Sequence, residues 1–103
     1  MIQVTVRFQE KEISYLHISG HAESNEYGKD LVCAGVSAVV FGALNAIEHV
    51  DSFTISVGDD DVEITRKQKV SEHDCIVLEV LLKQLQTIEE SYAKYIKITK
   101  ERR

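Results

Sequence analysis

Ile2-Gln3-Val4-Thr5-Val6-Arg7-Phe8 opens the chain with apolar residues at every second position. A period of two places alternate side chains on opposite faces of a pleated strand, so this stretch predicts a half-buried strand. Gln9-Glu10-Lys11-Glu12 is a polar turn, and Ile13 to Ser19 reads as a second strand that ends at Gly20. A connection this short joins antiparallel strands. The fold therefore starts from a β-hairpin.

Outward from the hairpin, residues 22–30 form a polar loop containing Gly28. Leu31 to about His49 is rich in Ala and Val and apolar on nearly every side, the pattern of a buried central helix. Phe53, Ile55 and Val57 alternate, Gly58-Asp59-Asp60-Asp61 turns, and Val62-Glu63-Ile64-Thr65 returns, giving a second hairpin with an acidic tip. Ser71-Glu72-His73-Asp74 matches a helix N-terminal cap. Val77, Leu81, Leu85, Ile88 and Tyr92 follow down one face, widened by Ile76 and Val80. Tyr95 to Thr99 is compatible with a short final strand. The order ββαββα, with that possible C-terminal strand, predicts an α+β fold. It is a small single domain over residues 1–103, an antiparallel-rich sheet with two helices.

Composition narrows the function classes. The chain has 103 residues, 44% of them apolar and 28% charged, which is ordinary for a globular domain with its own core. Its net charge of −5 disfavours general nucleic-acid binding, which needs a basic footprint, and suits a basic partner. No apolar run reaches the roughly 20 residues of a membrane span, and the N-terminus lacks the pattern of a signal peptide. A cytoplasmic protein with reduced thiols is expected. Two cysteines, Cys33 and Cys75, make no disulfide framework, no Cys/His pair has zinc spacing, and no cofactor is expected.

The chemistry-bearing pair is His21 and Cys33. His21 follows Gly20 where the second strand ends. Asp30 is a good N-cap, which would put Cys33 in the first turn of the next helix, among outward N–H groups. A helix terminus stabilises a nearby charge by about 0.3–1 kcal/mol. A tenfold change in ionisation needs about 1.4 kcal/mol, so a stable thiolate also needs a cation, and His21 is the candidate. A Cys/His pair in contact is the minimum for acyl transfer, and helix-start N–H groups could form an oxyanion hole. Cys75 reads as structural. Asp59-Asp60-Asp61 reads as a solvated turn, and the cluster Lys94, Lys97, Lys100, Arg102 and Arg103 as a soluble, frayed end.

Gly20-His21-Ala22, then Gly28-Lys29-Asp30-Leu31-Val32-Cys33-Ala34-Gly35-Val36-Ser37, resembles the signature of the ribosomal-processing cysteine proteases known as Prp. The likeness extends over essentially the whole chain. It implies a cysteine endopeptidase that removes the N-terminal extension of a large-subunit ribosomal protein, cutting after an apolar, aromatic-containing stretch. The resemblance makes Cys33 the nucleophile and His21 the general base. Asp30 and Ser37 match supporting positions, and Gly20 and Gly28 would let the loop move over the peptide. It also implies a homodimer, which the apolar first helix independently suggests. The competing reading is a non-catalytic ribosome-assembly or protein-binding module in which Cys33 is packing.

Overall fold

Two hairpins and two helices are present in the order expected. The structure is a computed structural model that describes residues 1–20 and 27–102, with the stretch 27–30 described by its backbone alone. Its elements are β1 (Ile2–Gln9), β2 (Glu12–Ser19), α1 (Tyr27–Ala46), a 3₁₀ turn at Val50–Ser52, β3 (Phe53–Gly58), β4 (Asp61–Arg66), α2 (Glu72–Tyr92) and β5 (Ile96–Arg102). The sheet order is β3-β4-β2-β1-β5. All neighbours are antiparallel except β1 and β5, which run parallel with Ile2 opposite Ile96. The sheet is therefore mixed, and α2 carries the chain from β4 past β2 and β1 to β5 at the far edge.

One face of the sheet is the core. Ile2, Val4 and Val6 of β1, Leu16 and Ile18 of β2 and Ile64 of β4 are buried together with Val32, Val36 and Val40 of α1 and Leu78, Leu81 and Leu85 of α2. Both helices thus cover the same face. The other face carries polar pairs: Arg7 with Glu101, Tyr15 with Glu63, and His17 with Asp61. The Arg7 guanidinium also lies 4.3 Å from the Tyr15 ring centroid.

The first hairpin turns on Glu10 and Lys11, both left-handed at φ 53° and 70°. Positive φ at both central residues is the two-residue turn whose twist matches paired strands, and here it is made without glycine. The register shifts after Arg7, so Phe8 faces Ile13 while Arg7 faces Tyr15. Ser14 is the extra residue, and its hydroxyl donates to the Arg7 carbonyl at 3.3 Å. This bulge explains why the buried positions of β2 are Ile13, Leu16 and Ile18 rather than a strict alternation.

Several expectations need correction. α1 starts at Tyr27, not Leu31, so Gly28 and Asp30 lie in its first turn instead of the loop. Gly28 costs about 1 kcal/mol there, which the packing of a 20-residue helix absorbs. α1 ends at Ala46 rather than near His49, because the N–H groups of Glu48 and His49 donate to the Asp74 carboxylate and leave the helical ladder. The helix is also not buried all round. Its buried stripe is Val32, Val36, Val40 and Ala43, while Leu31 and Phe41 are each 45% exposed.

Ser71 caps α2 as expected, its hydroxyl accepting the Asp74 N–H at 3.2 Å. The buried stripe of α2 runs through Leu78, Leu81, Leu82 and Leu85, and Ile76 and Val80 are exposed. The basic C-terminus is not frayed: residues through Arg102 form β5, paired along the length of β1. No helix among the described residues is long and apolar enough to cross a membrane.

Candidate active site

Cys33 is the seventh residue of α1. That placement corrects the expectation of a first-turn thiol. With Tyr27 as the first helical residue, the N–H of Cys33 belongs to the internal i→i−4 ladder, and Asp30 is not the N-cap. Helix-start N–H groups are therefore not available at Cys33 as an oxyanion hole, and the dipole has faded beyond the first turn.

The thiol still borders open space. Cys33 is half-buried and packs against the core. It lines a cleft of about 100 Å³ between α1 and one end of the sheet. Ile2, Ile18, Val36, Val40, Phe41 and Val62 give this cleft apolar walls. Ser37, one helical turn after Cys33, lines it too. Gly20 lines it from the end of β2, and Gly58 to Asp61 close its rim.

Gly20 is a fixed corner. Its φ is +92°, and a Cβ built there would stand 2.5 Å from the Met1 carbonyl oxygen. Its N–H donates to the Asp60 carbonyl at 3.0 Å. Only glycine combines this dihedral with so close a backbone approach. Just past the end of β2, this sets the direction in which the chain leaves the strand. His21 lies outside the described residues, as do the side chains of Gly28's neighbours Lys29 and Asp30.

The acidic turn was not recognisable as part of this site. β4 pairs with β2, and Asp61 sits opposite Ser19. That register carries Asp59-Asp60-Asp61 to the end of β2 and so to the Cys33 cleft. Asp61 also accepts from His17 on the open face of the sheet. Nothing local in the turn announces this placement, because strand pairing across the chain creates it.

Cys75 has the character of a structural thiol. It is half-buried near the start of α2, with its sulfur 3.9 Å from the Val70 carbonyl oxygen. Burial raises its pKa, and the nearby Glu12 carboxylate adds to the shift.

Glu48, His73 and Asp74 each bring a possible ligand atom within 4.8 Å of the others, the cluster most suited to a cation among the described residues. The Asp74 side chain is 0% exposed and accepts the N–H groups of Glu48 and His49 and the His73 ring. Those bonds use it as a structural tie between the end of α1 and the start of α2. Burial opposes its charge, but the bonds from Glu48, His73 and His49 outweigh burial and hold its pKa below the ordinary carboxylate range.

Residues 1–97 match the sequence profile of a family described as Cysteine protease Prp. A "Ribosomal processing cysteine protease Prp" of Staphylococcus aureus (strain Mu50) is 36% identical over 101 residues, covering 94% of each chain. The protein of the same description from Bacillus subtilis (strain 168) is 35% identical over 112 residues, covering 96% of each. Among solved structures, the S. aureus ribosomal processing protease Prp in complex with a substrate peptide superposes with a TM-score of 0.86 at 33% identity. That match covers 98% of this chain and all of the other. A crystal structure of the S. aureus protease with a covalently linked product peptide gives 0.85 at 34% identity, with the same coverage.

Proposed function

This chain belongs to the cysteine protease Prp family and is a cysteine peptidase, and from that premise we propose that Cys33 and His21 remove the N-terminal extension of a large-subunit ribosomal protein. The observation that carries the proposal is the position of Cys33 in the apolar cleft that Gly20 also lines, one peptide bond before His21. In this reading Cys33 Sγ attacks the carbonyl carbon of the scissile bond as a thiolate paired with the His21 imidazolium. The tetrahedral intermediate collapses as His21 gives its proton to the departing amine, leaving a thioester on Cys33. His21 then takes a proton from water, whose oxygen attacks the thioester and releases the acid product with the thiol regenerated. Because Cys33 lies beyond the first helical turn, the thiolate depends on His21 more than on the helix dipole.

The apolar walls support cleavage beside an apolar, aromatic-containing stretch. The net charge of −5 favours encounter with a basic ribosomal protein precursor. Ser37 is a supporting residue at the cleft, and Asp30 and Gly28 hold the matching signature positions at the start of α1. A cytoplasmic homodimer completes the proposal. Leu31 and Phe41 on α1, and Ile76 and Val80 on α2, leave apolar surface that a second copy would cover. Light scattering at micromolar concentration checks this, with twice the chain mass expected.

The deciding experiment is cleavage of a peptide spanning the ribosomal extension. Wild type is expected to cut it, and Cys33→Ala and His21→Ala to lose the activity. Cleavage by Cys33→Ala at the wild-type rate rejects the mechanism and leaves the binding-module reading.

A further inference from the structure

Among the described residues β3 has a strand partner on one side only, because it ends the sheet. Edge strands are commonly protected from pairing by charge, proline or a bulge. The opposite edge, β5, carries Lys97, Lys100, Glu101 and Arg102, and its Ile98 N–H is taken by Glu89 at 2.7 Å. β3 reads Phe53-Thr54-Ile55-Ser56-Val57-Gly58, with no charge and no proline, and Thr54, Ser56 and Val57 are exposed.

The direction of its backbone groups follows from the turn. Gly58 and Asp61 flank the two-residue connection, and such flanking residues exchange hydrogen bonds. Gly58, Ser56 and Thr54 therefore bond to β4. The bond from Lys67 N–H to the Ser52 carbonyl at 3.0 Å continues the same parity. The N–H and C=O groups of Ile55 and Val57 consequently face away from the sheet. This open edge leads into Gly58 and the Asp59–Asp61 turn, which rim the Cys33 cleft.

We propose that an extended peptide substrate with a cationic residue docks as an added strand on the outer edge of β3. Backbone hydrogen bonds to Ile55 and Val57 feed the peptide past Gly58 into the Cys33 cleft. Main-chain pairing supplies affinity for any extended peptide, and the carboxylates of the turn favour a Lys or Arg where the peptide crosses them. This deepens the peptidase reading and rests on it.

The test uses the full chain and a basic peptide carrying an apolar, aromatic-containing segment. Val57→Pro removes one outward N–H at an edge position where proline is tolerated, and is expected to raise KM about tenfold. Peptides N-methylated at successive positions test the same pairing without altering the protein, so a folding defect in Val57→Pro does not blunt the test. Methylation at every second position away from the scissile bond is expected to weaken binding to Cys33→Ala, read by fluorescence anisotropy, and the positions between are expected to be silent. An unchanged KM with no alternation overturns the proposal while the peptidase reading stands. Loss of dimer mass in Val57→Pro at unchanged KM also overturns it, by making β3 an interface between copies. If wild type binds the peptide with this alternation but does not cut it, the peptidase reading fails and the docking edge survives.

Discussion

The carboxylate of Asp74 accepts the backbone N–H of Glu48 at 2.9 Å and so ties the end of α1 to the first turn of α2. The neighbouring His49 N–H donates to its other oxygen at 2.9 Å. Removing this carboxylate leaves two N–H groups without their acceptor, so Asp74→Ala is expected to lose about 3 kcal/mol of unfolding free energy. Urea denaturation at neutral pH measures it.

The same tie sets a pH dependence. Asp74 is held below its ordinary pKa, so its contribution is present above the unfolded value near 4 and is lost as pH falls through the lower folded value. His73 is held above its ordinary pKa, chiefly by its bond to Asp74, so its contribution is present below about 6.5 and is lost as pH rises through the higher folded value. Wild-type stability is expected to fall more steeply in acid than that of Asp74→Asn. Chemical denaturation from pH 3 to pH 8 compares the two.

Gly20→Ala places a Cβ against the Met1 carbonyl at a φ of +92°. The expected result is a loss of about 1–3 kcal/mol together with a fall in kcat/KM, because the chain would leave β2 in a different direction. Thermal melts and peptide cleavage read the two effects separately.

Lys11 holds a left-handed conformation at φ 70°. Lys11→Gly relieves about 1–2 kcal/mol of backbone strain and gives back part of it by loosening the unfolded chain. A net gain of up to about 1 kcal/mol is expected in urea denaturation, with peptide cleavage unchanged because the turn is outside the cleft.

Cys75 is kept protonated first by burial and then by the Glu12 carboxylate. Iodoacetamide is expected to label it more slowly than a free thiol at neutral pH, and Cys75→Ser to leave kcat/KM unchanged. Mass spectrometry of the labelled chain assigns each cysteine.

Periodicity was enough for the elements. Ile2, Val4 and Val6 announced β1, Ser71 announced the start of α2, and the two short turns announced both hairpins. These are local properties, since side-chain alternation and capping are decided within a few residues. Periodicity misplaced the α2 stripe by including Ile76 and Val80, because one apolar helix face and its neighbour differ only in what packs against them. It also missed that the basic segment after Tyr95 joins β1, since a parallel pairing across nearly the whole chain has no local signature.

The sequence by itself singled out the candidate side chains, with His21 and Cys33 set apart by residue type and by the motif around them. It also determined the order of strands and helices. Only the tertiary structure decided where α1 begins and ends, that Cys33 sits in its second turn, and that an acidic turn from the second hairpin reaches the Cys33 cleft. The physical reason is range. Alternation and capping act between residues a few positions apart, whereas the Ser19–Asp61 register and the Asp74 bonds to Glu48 and His49 join residues that only long-range packing brings into contact.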